Sequence, residues 1–181
     1  WRRKKSLGNL SHKFWGELPL PQNDNPRIWL HAVSVGEVIQ LQPIVRRLAE
    51  RFPQHSLVIT TTTTTGHSVA REKYGTEHTV CYFPFDFTWS VRRALRRINP
   101  SLIVLVELEL WPNFIRLAHQ ASIPVALING RITEKSWKRY RLIRPFSARS
   151  SRDQSIQVQN PSYADRLIDL GADPQKVEVT G

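Results

Sequence analysis

Residues 27–52, RIWLHAVSVGEVIQLQPIVRRLAERF, decide the fold. Their first seven, Arg27–Val33, are an apolar run suited to a strand buried on both faces. Beyond Ser34-Val35-Gly36 the period changes. Val38, Leu41, Val45 and Leu48 recur at three- and four-residue spacing, which predicts a helix over Glu37–Phe52 with one face inward. A buried strand followed at once by an amphipathic helix opens a βαβ unit, and parallel strands joined this way need helices across their faces.

The alternation continues along the chain. Strands are predicted over Ser56–Thr62, Thr79–Phe83, Leu102–Val106, Pro124–Ile128 and Ser155–Gln159, and Val177–Val179 starts either a seventh strand or a linker to a further domain. Helices are predicted over Gly66–Lys73 with Gly75 as cap, over Trp89–Ile98 with Val91, Leu95 and Ile98 inward, and over Pro112–Gln120 with proline in the first turn. A basic helix over Ser136–Ser150 is interrupted near Pro145, and Asn160 caps a last helix that runs from Pro161 to Gly171. The fold class that follows is α/β: a Rossmann-like parallel sheet with helices on both faces, over residues 27–181. Residues 1–26 are basic and then proline-rich (Pro19, Pro21, Pro26), and read as a surface arm leading into the first strand.

In such sheets ligands bind at the carboxyl ends of the strands. The loops to read are therefore Ser34–Glu37, Thr60–Gly66, Pro84–Asp86, Glu107–Trp111, Asn129–Arg131 and Gln159–Asn160. Ser34-Val-Gly-Glu37 sits at a helix start, where free N–H groups and the dipole favour anions and where Gly36 lets a ligand come close to the backbone. Ser-x-x-Glu is also a capping box, in which Glu37 serves only its own helix. It is neither a dinucleotide fingerprint nor a phosphate loop. The run Thr60–Thr65 supplies hydroxyls for a sugar or phosphate. Its first members equally favour a strand and its last a helix cap. In Glu107-Leu-Glu-Leu-Trp-Pro-Asn113 two carboxylates, Glu107 and Glu109, follow an apolar strand directly. Charge in that place is costly unless used, either by a substrate or as an anchor for the next helix. In Asn129-Gly-Arg131, Gly130 permits a tight turn and Arg131 either holds a phosphate or carboxylate or lies in solvent. His31 and His67 show no metal-ligand spacing, and His31 reads as a buried imidazole.

Composition bounds the rest. The chain has 181 residues, 40% hydrophobic, which suits one domain with a real core. It has one cysteine, Cys81, so it forms no internal disulfide, and a reducing compartment is the default. It starts at Trp1, contains no methionine, and is expected to be a piece of a longer protein. No run approaches the roughly 20 apolar residues of a membrane helix. The net charge of +11 is concentrated in three clusters. The first is Arg2, Arg3, Lys4, Lys5 and Lys13, and the second Arg92, Arg93, Arg96 and Arg97. The third spans Arg131, Lys135, Lys138, Arg139, Arg141, Arg144, Arg149 and Arg152, among Trp137, Tyr140 and Phe146. Such surfaces seek phosphate on nucleic acid, lipid or substrate, or are simply solvated.

Taken together, the motifs resemble one family. His31-Ala-Val-Ser-Val-Gly-Glu37, Thr61–Gly66, Glu107–Asn113, Asn129-Gly-Arg131, Gln159-Asn160 and Val179-Thr-Gly181 are similar, in order and spacing, to the N-terminal domain of 3-deoxy-D-manno-octulosonic acid (Kdo) transferases. The basic start and Lys13-Phe-Trp-Gly16 share the look. The resemblance implies the acceptor-binding half of a two-domain, GT-B type glycosyltransferase that moves Kdo from CMP-Kdo to a lipid A precursor in lipopolysaccharide biosynthesis. Its place would be the cytoplasmic face of the bacterial inner membrane. By position Glu37 matches the general base and Glu107 a carboxylate that stabilises the transition state. Ser34, Gly36, Thr65 and Arg131 are the expected acceptor contacts, and Arg2, Arg3, Lys4 and Lys5 the contacts to an anionic membrane surface. The family's catalytic lysine lies just past Gly181, its CMP-binding motifs in a second domain, and its hydrophobic anchor before Trp1, so the chain alone is expected to be inactive. No metal or cofactor is expected. Neither is nucleic acid, although a basic nucleic-acid-binding module, another two-domain glycosyltransferase and a sugar-nucleotide epimerase are the alternatives. The catalytic reading of Glu37 requires its carboxylate to face the crevice.

Overall fold

The computed structural model describes residues 23–107, 111–143 and 154–180. Seven strands form one sheet: β1 Arg27–His31, β2 Ser56–Thr61, β3 Thr79–Tyr82, β4 Pro100–Val106, β5 Val125–Gly130, β6 Gln154–Val158 and β7 Val177–Val179. Their order is β3-β2-β1-β4-β5-β6-β7 and every pairing is parallel. Among the described residues seven helices connect them: α1 Val35–Gln40, α2 Gln42–Arg51, α3 Thr64–Tyr74, α4 Thr88–Ile98, α5 Pro112–Gln120, α6 Glu134–Ile143 and α7 Pro161–Asp169. A single turn of 3-10 helix, Pro174–Lys176, precedes β7. The α/β class read from the sequence is the one observed, and Val177–Val179 is a strand of the same sheet.

Alternate strand residues feed two cores. Trp29, Val58, Cys81, Ile103, Leu105, Leu127 and Ile156 pack under α4, α5 and α7 through Val91, Leu95, Phe114, Leu117 and Leu167. Ile28, Leu30, Leu57, Ile59, Val104 and Val106 pack under α1, α2 and α3 through Val38, Leu41, Val45, Ala70 and Tyr74. Among the described residues, this second face is covered by helices over β1, β2 and β3. Beyond Gln40, Ile44 and Leu48 it opens into a groove of ≈ 650 Å³ floored by Val104, Val106, Ala126 and Ile128. Trp29 is wholly buried and donates its indole N–H to Thr60 Oγ1 at 2.8 Å, so its polar edge costs nothing. Phe114 meets it edge-on at 5.0 Å.

Two expectations are corrected. The helix expected over Glu37–Phe52 starts two residues earlier and is two helices, α1 and α2, joined at Leu41. Pro43 has no N–H to donate and so begins the second helix rather than continuing the first. Asn129 and Gly130 do not form a turn after the fifth strand. They are its last two residues, across a register shift between Leu127 and Gly130, and the left-handed residue is Asn129, at φ 54°. Gly130 is needed for closeness instead: a Cβ there would stand 3.0 Å from Gln157 O and 3.0 Å from Val158 Cγ1. Helix α6 covers Glu134–Ile143, and Pro145 lies outside the described residues, as do Glu109, Arg144, Phe146, Arg149, Arg152 and the basic arm with Arg2, Arg3, Lys4, Lys5 and Lys13.

Candidate functional site

From β1 the chain turns toward β2, and from β4 it turns the other way toward β5. The loops leaving β1 and β4 therefore diverge, and the crevice between them is where such sheets bind ligands. Both acidic motifs sit on these two loops.

The first loop is a closed capping box. Ser34 is the N-cap of α1, with extended φ and ψ, and its Oγ lies 3.4 Å from Glu37 N as acceptor. Glu37 returns the bond: its Oε2 accepts from Val33 N–H at 2.7 Å and its Oε1 from Ser34 Oγ–H at 2.7 Å. The side chain is folded onto its own backbone and is 7% exposed. The capping reading is realised in a shifted form: the backbone N–H that Glu37 takes is that of Val33, one residue before the cap, and from Ser34 it takes the hydroxyl. The catalytic one narrows to the acceptor positions left on two oxygens that each hold one bond. Gly36 is exposed on the first turn, and a Cβ there would meet nothing nearer than Ser34 Oγ at 3.9 Å. Its place is open to a ligand, but its own backbone does not require glycine.

The threonine run divides. Thr60 and Thr61 are buried strand residues, and the Thr60 hydroxyl is spent on Trp29, His31 and Leu30 O. The cap of α3 is Thr63, not Thr65: its Oγ1 accepts from Gly66 N–H at 3.0 Å and donates to Val33 O at 3.1 Å. That bond ties the second helix start to the first acidic loop. Gly66 makes the approach possible, since a Cβ would lie 3.2 Å from Val33 O. Thr65 is left exposed on the first turn of α3.

The second loop is built differently. Glu107 donates its N–H to Ile128 O and then turns into the left-handed region, at φ 55°. A glutamate gains nothing local from that conformation, which costs on the order of 1 kcal/mol. Its carboxyl is partly exposed and is pushed above the usual carboxylate range, first by burial and then by the charge of Glu37; Arg131 opposes the shift. The three groups therefore share one field, with Arg131 on the exposed loop after β5. Nearby a chain of amides crosses three elements: Gln159 Nε2 donates to Asn129 Oδ1 at 2.7 Å, and Asn129 Nδ2 to Gln40 Oε1 at 3.0 Å. His31 is 1% exposed, stacked on Phe83 at 3.8 Å, bonded through Nδ1 to Thr60, and held by burial at a pKa of about 3, so it is neutral. Among the described residues no group of three His, Cys, Asp or Glu is placed to hold a metal.

Asp86 was singled out by nothing in the sequence beyond its loop. It caps α5 from 27 residues away, accepting from Asn113 N–H at 3.1 Å and Phe114 N–H at 2.7 Å, while Asn113 Nδ2 donates back to its carbonyl. Trp111, the N-cap of α5, makes no side-chain cap bond. The anchor for this helix end is thus Asp86 rather than Glu107. Gln40 was missed as well, because an amide in the middle of a helical run carries no signal.

The comparisons with known proteins agree with this geometry. Residues 4–181 match the family model described as 3-deoxy-D-manno-octulosonic-acid transferase (kdotransferase). The 3-deoxy-D-manno-octulosonic acid transferase of Chlamydophila psittaci is 31% identical over 98% of this chain and 41% of its own length, and that of Haemophilus influenzae 32% identical over 93% and 39%. The chain thus spans about two fifths of the length of these curated relatives. A crystal structure of UDP-GlcNAc 2-epimerase from Neisseria meningitidis, bound to UDP-GlcNAc, superposes with a TM-score of 0.55 at 14% identity, over 86% of this chain and 46% of that one, which shows a shared fold over about half of that molecule. With the family model covering nearly every residue and both acidic loops standing at the switch point, the chain belongs to the 3-deoxy-D-manno-octulosonic-acid transferase family.

Proposed function

We propose that the full-length protein transfers Kdo from CMP-Kdo to a hydroxyl of a lipid A precursor, and that this domain binds the acceptor. The observation that carries the reading is the pair of carboxylates on the two diverging loops, close enough that the charge of Glu37 raises Glu107. A sugar hydroxyl is a poor nucleophile at neutral pH, and a placed carboxylate takes its proton as the new bond forms. Glu37 fills that role through an acceptor position that its cap bonds leave open. The departing CMP phosphate needs no acid, and the sugar passes through an oxocarbenium-like state that a second anion, Glu107, stabilises. Ser34, the open space at Gly36, Thr65 and Arg131 rim the crevice as acceptor contacts, with Arg131 suited to a phosphate. The acceptor is a lipid, so the place of action is the cytoplasmic face of the bacterial inner membrane, with Arg2, Arg3, Lys4 and Lys5 toward its anionic surface.

Glu37→Gln in the full-length protein tests the base. Glutamine keeps the box, since its Oε1 accepts from Val33 N–H and its Nε2 donates to Ser34 Oγ. Transfer from CMP-Kdo to the lipid acceptor is expected to fall at least about a hundredfold, with thermal stability nearly unchanged. A near-wild-type rate would reduce Glu37 to a cap and sink the assignment.

A further inference from the structure

Helix α1 carries Glu37 and is six residues long. A helix that short is not stable alone, so packing and bonds to other elements fix its place. Its two flanks are held differently. Toward β2 it packs against α3, where Tyr74 donates its hydroxyl to Val38 O at 2.7 Å. Toward β5 the described residues open into the groove that Gln40 lines. Among the described residues, the side-chain hydrogen bond that reaches α1 on that flank comes from Asn129, whose Nδ2 donates to Gln40 Oε1 at 3.0 Å. Asn129 Oδ1 in turn accepts from Gln159 Nε2 at 2.7 Å, which leaves Nδ2 as the end for Gln40.

The backbone of β5 is shaped for this reach. Leu127 pairs with Ile156 and Gly130 with Val158, so Ile128 and Asn129 together stand opposite the single residue Gln157. An extra residue of this kind bends a strand and re-aims a side chain. Ile128 O accepts from Glu107 N–H on one side of it, and Gly130 O from Gln159 N–H on the other. Between those two bonds Asn129 takes φ 54°, a conformation that glycine adopts freely and asparagine tolerates. Glycine would serve that backbone better, so the amide is what asparagine adds. Gln40 lies one turn after Glu37, and Asn129 two residues before Arg131. Glu37 and Arg131 both act on the charge of Glu107. The bond from Asn129 to Gln40 thus joins the helix of one group to the strand of the other.

We propose that Asn129 is a positioning residue for the transfer reaction: through Gln40 it holds the open flank of α1 and so sets where the Glu37 carboxylate stands relative to Arg131 and Glu107. The inference rests on the function proposed above. A small displacement of a base costs more in the transition state than in ground-state binding, so loss of the tie is read in kcat rather than in KM. If Asn129 served only its backbone, glycine would do as well or better.

The test uses the full-length protein with CMP-Kdo and the lipid acceptor. Asn129→Gly deletes the amide and eases the backbone. Thermal stability should stay near the wild-type value, while kcat falls about tenfold or more and the acceptor KM changes less than about twofold. Gln40→Ala removes the other end of the tie and should bring a similar fall. The double variant should be no slower than the slower single one, because both break the same bond. Loss of folded protein lowers the rate by one factor at every pH, whereas a displaced Glu37 alters the field at Glu107 and moves the acid limb of kcat/KM. That movement is expected in both single variants. A near-wild-type kcat in Asn129→Gly, multiplied losses in the double variant, or a pH profile that is lowered without moving would each overturn the proposal. Amide hydrogen exchange over residues 35–41, measured without substrate, separates the tie from the reaction. Faster exchange in Asn129→Gly, in a protein whose wild type transfers no Kdo, keeps the hold on α1 and removes only the reading of the reaction. Unchanged exchange overturns the hold whatever the wild type transfers.

Discussion

Two acidic loops leave neighbouring strands at one crevice, and they are built in opposite ways. The loop after β1 satisfies itself within five residues: Val33, Ser34 and Glu37 exchange three hydrogen bonds and the carboxylate is sheathed. The loop after β4 depends on distant groups. Glu107 stands at φ 55°, its carboxyl answers to Glu37 and Arg131, and the helix beyond it is capped by Asp86 from another connection. The bonds of the first loop run between neighbours in sequence, whereas those of the second come from the connection after β3 and from β5. If Glu37 is the base proposed above, the site pairs one carboxylate fixed by its own loop with one placed by distant groups.

The largest effect that tests this contrast is expected at Glu37. Glu37→Ala takes the acceptor from Val33 N–H and the cap partner from Ser34 at once, leaving a mostly buried donor unpaired. Stability should fall by about 1–3 kcal/mol in denaturant unfolding, whereas Glu37→Gln should hardly change it. If both variants are equally unstable, the loop is not self-contained and the contrast fails.

Asp86→Ala asks the same of the second loop. It removes two bonds to the start of α5, with an expected cost of about 1–2 kcal/mol. Because the cap reaches across 27 residues, the loss should loosen the Glu107–Trp111 connection as well as α5. Faster amide hydrogen exchange in both segments is expected. Exchange confined to the 84–88 loop would show that the second loop holds its own shape.

This contrast also explains what could be read from the chain alone. The strand at Arg27 and the capping box at Ser34 are written in adjacent residues, so periodicity and one motif find them. Pro43 was a local signal that the helix pattern masked, because Val38, Leu41, Val45 and Leu48 keep one apolar face across the break. Asn129 and Gly130 look like a turn because both residue types favour turns. They remain in β5 because β6 pairs with Gly130 past the register shift, which is information held by another strand. Asp86, Gln40 and the left-handed Glu107 act through tertiary contacts and have no pattern of their own. The site was legible where it is local and hidden where it is assembled.

The smallest effect, and the sharpest for the contrast, is the pH dependence of Glu107. Its folded pKa lies above the unfolded value, with burial as the larger cause and Glu37 the second. The folded protein therefore binds this proton more tightly than the unfolded chain. For a carboxyl raised in this way, stability falls as pH rises from the ordinary glutamate range through the raised folded value, and is level above it. Glu107→Gln removes that slope. The variant should match the wild type at low pH, where the wild-type carboxyl is protonated in both states, and should be slightly more stable at neutral pH, where the wild type carries a charge that Arg131 only partly offsets. Partial exposure of the side chain keeps the gain small. The double variant with Glu37→Gln is the decisive measurement. If the two carboxylates share one field, neutralising Glu37 first shrinks the stabilisation that Glu107→Gln brings. If the gain is the same in both backgrounds, burial alone sets the shift and the two loops, though adjacent, do not act on one another.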